Sequence, residues 1–131
     1  ILDYVGVKGE LGKVVAGGAM MGPAVENLSY PTTKTTSGLI LLSKAAAQPA
    51  QVNPCIRCGR CVEYCPMGLE PVEVNQAYAA RDVQELGKLH VDYCFNCGSC
   101  TFVCPAKRPC TQMMGLAKAF YLGEIKKGGN K

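Results

Sequence analysis

Two stretches decide the reading: Cys55–Pro66, CIRCGRCVEYCP, and Cys94–Pro105, CFNCGSCTFVCP. Aligned without gaps, they share four cysteines, one glycine and the closing proline. Eight of the nine cysteines lie inside them. A C-x2-C-x2-C run puts three thiolates on one tight loop, able to wrap a face of a cube-shaped iron–sulfur cluster. A fourth cysteine four positions on, followed by proline, completes the bacterial two-cluster pattern, in which that last cysteine ligates the other cluster. The spacing therefore predicts two [4Fe–4S] clusters with crossed ligand sets. Cys55, Cys58, Cys61 and Cys104 hold the first; Cys94, Cys97, Cys100 and Cys65 hold the second. Gly59 and Gly98 mark tight turns beside the clusters. Pro66 and Pro105 fix φ just past the last ligand. Ile56, Val62, Phe95, Phe102 and Val103 lie between ligands and are expected to form an apolar shell that excludes water.

Three other chemistries fit less well. A disulfide framework is disfavoured by an odd cysteine count and by a spacing suited to metal. Four-cysteine zinc sites usually pair two CxxC knuckles rather than repeating three cysteines plus Cys-Pro. Redox dithiols need no cluster of eight.

Outside the runs, Lys13–Ala16 reads as a short strand entering a glycine-rich turn, Gly17–Pro23. The turn lacks the Gly-Lys-Ser/Thr and dinucleotide spacings, so a methionine pair filling a core is expected there rather than a phosphate cradle. Asn27–Thr33 reads as a loop and Thr35–Ser43 as a strand, its Leu39–Leu42 run buried on both faces. Lys44–Pro54 is Ala/Pro/Gln-rich, like a linker. Between the runs, Pro71 opens one helix with Val74, Ala77 and Tyr78 on a face. Asp82 and Glu85 begin another, with Val83, Leu86 and Leu89 inward. A last helix spans Cys110 to Lys127, with Met113, Leu116 and Phe120 on one face and close backbone contacts at Gly115 and Gly123. From Gly128 on, the end is expected to fray. Cys110 reads as a buried small hydrophobe, and His90 as no ligand. Lys107 and Arg108 read as a solvated basic turn, or as a patch steering an acidic electron carrier. The fold class is α+β: a helical two-[4Fe–4S] ferredoxin-like domain after a small β-rich piece.

The formal charge is +4, from 14 Lys+Arg against 10 Asp+Glu. Eight thiolates add about −8 and two oxidised cores about +4, leaving a near-neutral holo-protein. With basic residues scattered, nucleic acid is not an expected partner. No apolar run reaches about 18 residues, so no transmembrane segment is expected. Eight reduced thiols point to a reducing compartment, the cytoplasm. A chain beginning at Ile1 is expected to be a fragment or a processed product of a longer polypeptide.

Four segments, GGAMMGP at Gly17–Pro23, KTTSGLILL at Lys34–Leu42, NPCIRCGRCVEYCPMGLEP at Asn53–Pro71 and CPAKRP at Cys104–Pro109, together resemble the C-terminal part of RnfC. The resemblance covers nearly the whole chain. RnfC is a peripheral subunit of a membrane-bound ferredoxin–NAD oxidoreductase that couples electron transfer to Na⁺ or H⁺ pumping. The resemblance implies that residues 1–45 are the tail of a β-grasp-like module and 46–54 a linker. Residues 55–127 would form the two-cluster domain, and 128–131 a frayed terminus. It further implies FMN and NADH sites only upstream, partner subunits and a ferredoxin-like electron carrier, and a place on the inner face of the cell membrane. The same eight cysteines carry over as ligands. The role implied is an electron relay with no substrate-converting site in these residues. Rival readings are a cobalamin-reductase-type microcompartment flavoprotein with the same cluster domain, a zinc-stabilised interaction module, and a helical-ferredoxin subunit of a disulfide reductase.

Overall fold

The computed structural model describes residues 2–128. The expectation for residues 129–131 lies outside them. The chain divides after Ala50 into two compact units.

The first unit opens with a helical turn, α1 (Leu2–Val5). It is built on two antiparallel strands, β1 (Leu11–Ala16) and β2 (Leu39–Ser43), with Val14 opposite Leu41 and Ala16 opposite Leu39. The register slips between Leu11 and Lys13. Gly12 sits in that bulge, where a Cβ would lie 2.6 Å from the Lys44 Cα, so only glycine fits without a shift. The connection folds back on β1: Val25 N–H donates to the Val14 carbonyl at 2.8 Å, and Ala16 N–H to Pro23 at 3.0 Å.

Three expectations for this unit are corrected. Met20 and Met21 are exposed, so the glycine-rich turn holds no methionine core. The second strand starts at Leu39, not Thr35. Thr33 N–H instead donates to the Thr36 hydroxyl at 3.1 Å, and Thr36 N–H to the Thr33 carbonyl at 3.0 Å, a local turn that competes with strand pairing. Residues Leu39–Leu42 are half-buried, because a two-stranded sheet cannot cover both faces.

The second unit is helical. A single turn, α2 (Arg60–Glu63), lies within the first cysteine run. Pro71 occupies the first turn of α3 (Pro71–Ala79), where its missing N–H costs nothing. That helix ends with Arg81 in the left-handed region, φ 57°. Arg81 N–H bonds Tyr78 and Asp82 N–H bonds Ala77, the paired closure of a Schellman motif. Asp82 then caps α4 (Val83–Lys88), accepting from Glu85 N–H at 2.9 Å, as the sequence predicts. A 3-10 turn, Val91–Tyr93, follows, and then another single turn, α5 (Ser99–Phe102), within the second cysteine run. The last helix is α6 (Cys110–Gly128).

Leu69, Val74, Ala77, Leu86, Val91, Met114 and Ala117 form one core. Full burial of side chains of this size is worth roughly 1.5–3 kcal/mol each. The buried stripe of α6 is Cys110, Met114 and Ala117 rather than Met113, Leu116 and Phe120; Leu116 is 53 % exposed. The helix is apolar on several sides, so its periodicity leaves the inward face open by one position. Asn96 lies 3.4 Å from where a Gly115 Cβ would stand, but Gly123 has nothing near it, which corrects the expectation of contact there.

Candidate metal centre

The two cysteine runs are folded by the same backbone. In each, the residue two after the first cysteine is left-handed: Arg57 at φ 51° and Asn96 at φ 57°. So is the residue after the second cysteine, Gly59 at 77° and Gly98 at 90°. So is the third residue past the last cysteine, Gly68 at 64° and Lys107 at 54°. Gly59 starts α2 and Gly98 starts α5. Alternation of right- and left-handed residues turns successive N–H groups inward, the nest geometry that suits anions and iron–sulfur sites. Only the two glycines of this pattern follow from reading one run at a time. Superposing the copies would have exposed the other pairs, since Asn96 and Gly68 favour that conformation and Arg57 and Lys107 do not.

The runs meet at two cavities. The first, of about 270 Å³, is lined by Cys55, Cys58, Cys61 and Cys104. The second, of about 20 Å³, is lined by Cys65, Cys94, Cys97 and Cys100. Each cavity takes three cysteines from one run and the fourth from the other. All nine cysteines are free thiols. Among the described residues, no three His, Cys, Asp or Glu side chains converge as they would around a single ion.

Four thiols around each cavity are the donor set an iron–sulfur cube requires. The first cavity also has room for such a group. The second is tighter, and three of its sulfurs bond to neighbouring side chains. Cys94 Sγ donates to Asn96 Oδ1 at 3.5 Å and Cys97 Sγ to Ser99 Oγ at 3.4 Å, and Cys100 Sγ shares a 3.4 Å bond with Thr111 Oγ1. Backbone N–H groups reach two further sulfurs, Arg57 to Cys55 at 3.4 Å and Leu69 to Cys65 at 3.3 Å. Such bonds orient ligand sulfurs and tune whatever they bind. Burial raises the thiol pKa of Cys61 and of Cys100, the latter opposed by the Thr111 hydroxyl.

Cys110 is buried, as expected, but it also lines the first cavity as a fifth thiol. Burial, with the Cys104, Cys100 and Cys61 sulfurs adding to it, pushes its pKa up to about 12. His90 lies outside both linings and stacks on Tyr93 at 5.3 Å. The apolar shell expected between ligands is corrected. Ile56 is 68 % and Phe102 75 % exposed, Val62 and Phe95 are exposed, and Val103 is half-buried. Ile56 still lines the first cavity, while Val62, Phe95, Phe102 and Val103 line neither. On the apolar side, half-buried Val72 and Met113 line the first cavity, and buried Leu69, Pro71 and Met114 line the second.

The model of the 4Fe-4S dicluster domain family matches residues 54–107. The chain is 41% identical over 106 residues to the C subunit of the ion-translocating oxidoreductase complex of Rhodobacter capsulatus, covering 81% of this chain and 20% of that protein. It is 40% identical over 78 residues to the C subunit of the Na(+)-translocating ferredoxin:NAD(+) oxidoreductase complex of Acetobacterium woodii, covering 60% of this chain and 17% of that protein. It is 44% identical over 71 residues to the proton-translocating counterpart in Clostridium ljungdahlii, covering 53% and 16%. The chain thus spans about a fifth or less of these curated relatives.

Proposed function

Taking as premise that this chain is a homologue of the C-terminal part of RnfC, a subunit of ion-translocating oxidoreductase complexes, we propose that it relays single electrons through two [4Fe–4S] clusters in such a complex. The observation that carries this is the pair of cavities, each lined by four of the run cysteines, three from one run and one from the other. Cys55, Cys58, Cys61 and Cys104 would hold one cluster, and Cys94, Cys97, Cys100 and Cys65 the other. Bound there, the clusters supply one-electron chemistry at potentials set by charge, hydrogen bonds and exposure. The chain's own residues position the sulfurs through the left-handed turns, donate to them from backbone N–H and hydroxyl groups, and keep water from the inner side.

The rest of the reading rests on the relatives. FMN and NADH sites belong upstream of these residues. Neighbouring subunits and a ferredoxin-like carrier exchange electrons with the chain on the inner side of the cell membrane. Among the described residues no helix is long and apolar enough to cross a membrane. Residues 1–45 form the tail of a β-grasp-like module, supported by the β1–β2 pair, with 46–54 as linker and 55–127 as the cluster domain. The named relatives belong to ion-translocating complexes, which favours this role over the microcompartment reductase and the disulfide-reductase subunit.

The test is analytical. The chain purified without oxygen should be brown, with about eight irons and eight acid-labile sulfides. A colourless product with about two zincs and no sulfide would replace the relay with a structural zinc module.

A further inference from the structure

The duplicated site is not duplicated in charge. Three positions that correspond between the copies line both cavities. Two after the first cysteine stand Arg57 and Asn96; two after the second stand Arg60 and Ser99; four after the last stand Arg108 and Leu69. Because the last cysteine crosses over, Arg57, Arg60 and Arg108 all line the first cavity, and Asn96, Ser99 and Leu69 all line the second. Among the described residues no acidic side chain lines either cavity. The ion pairs of the described residues involve none of the three arginines. The nearest compensation is indirect: the Gln76 amide, oriented to satisfy both neighbours, accepts from Arg57 Nη2 at 3.1 Å and donates to Glu73 Oε2 at 3.2 Å.

We infer that the three arginines make the first cavity the higher-potential of the two cluster sites, so that an electron entering the chain settles there. This rests on the two-cluster reading above. A cluster held by four thiolates gains one unit of negative charge when it takes one electron, without a proton, from a reduced flavin or from dithionite. Nearby cations stabilise that extra charge and raise the potential. Solvent acts in the same direction, since Cys55 and Cys58 are exposed while all four cysteines of the second cavity are half-buried. The opposing effects come from the hydroxyls of Ser99 and Thr111, which reach sulfurs of the second cavity, and from the Lys118 ammonium, which donates to the Cys94 carbonyl at 2.6 Å. That is one cation and two neutral dipoles set against three full charges. Arg57 and Arg60 are exposed and partly screened, whereas Arg108 is half-buried and acts with less screening. Arg108 is therefore the strongest of the three.

The test is a dithionite titration of the iron-loaded chain, followed by electron paramagnetic resonance after iron and sulfide have been counted. The wild type should reduce in two separate steps. Arg108→Gln should move the higher step to lower potential and leave the lower one in place. Arg60→Gln should do the same by less, and serves if Arg108→Gln loads poorly. Thr111→Val should move only the lower step, which assigns it to the second cavity. Ser99→Arg should raise the lower step towards the higher. Eight irons reducing in one step, or arginine variants that shift the lower step or both steps equally, would overturn the inference while leaving the relay standing. A preparation without sulfide removes both, and the count taken beforehand distinguishes that case.

Discussion

Thr101 and Thr111 are bonded twice. The Thr101 hydroxyl oxygen accepts from Thr111 N–H at 2.8 Å, and the two hydroxyls lie 2.8 Å apart. Thr111 is the second residue of α6, so Thr101, in α5, satisfies an N–H at the start of the next helix. Once Cys100 is a thiolate it can only accept. The Thr111 hydroxyl must then donate to sulfur and accept from Thr101, and the proton order of the chain is fixed.

Replacing Thr101 by valine keeps the shape and removes the oxygen. The cost should be about 1–2 kcal/mol, as for a lost cap with a buried partner left unsatisfied. Urea unfolding of the loaded protein measures it, and Thr101→Ser should restore most of the loss.

Lys107 occupies the left-handed conformation that its counterpart Gly68 adopts freely. A side chain there costs roughly 1–2 kcal/mol, partly offset by glycine's entropy in the unfolded chain. Lys107→Gly should therefore stabilise the protein by about 1 kcal/mol, read as a higher denaturant midpoint with an unchanged slope.

Leu86 is fully buried between α3 and α6 in the core of the second unit. Leu86→Ala should cost about 2–5 kcal/mol. A melting temperature within a degree or two of wild type would contradict that packing.

Cys110 supplies the pH dependence. Its pKa stands at about 12, above the ordinary value of 9.0, because burial opposes the thiolate. A raised pKa means that the folded state holds its proton more tightly than the unfolded state. The resulting stability is complete below pH 9 and is lost as pH climbs towards 12. Over that window the wild type should lose up to about 1.4 kcal/mol per pH unit more than Cys110→Ala. Parallel stability curves for the two proteins would contradict the burial of this thiol.

The metal-binding half of the chain was largely legible because its signals are local. Proline at the first helical position and Asp82 as a cap each act within a few residues, and each stands where the sequence predicts. What escaped depends on distance. The inward face of α6 is chosen by what Val74, Leu86 and Val91 present to it, and no period within the helix carries that choice. The solvent exposure of Phe102 and Ile56 follows from the cysteines turning inward, a matter of backbone handedness rather than residue type. Thr35–Gly38 has the composition of a strand, but the Thr33–Thr36 turn claims the preceding residues. The arginine asymmetry was in plain view, yet it means something only once the last cysteine of each run is seen to cross.

That three-and-one sharing makes the second unit indivisible. On the proposed ligand sets, a break anywhere between Pro66 and Cys94 would leave two peptides, each with a trio of thiols for one cage and a stray thiol for the other. Neither half is a smaller working version of the whole. On the proposed ligand sets, trimming the protein to a single run would leave no complete cage at all.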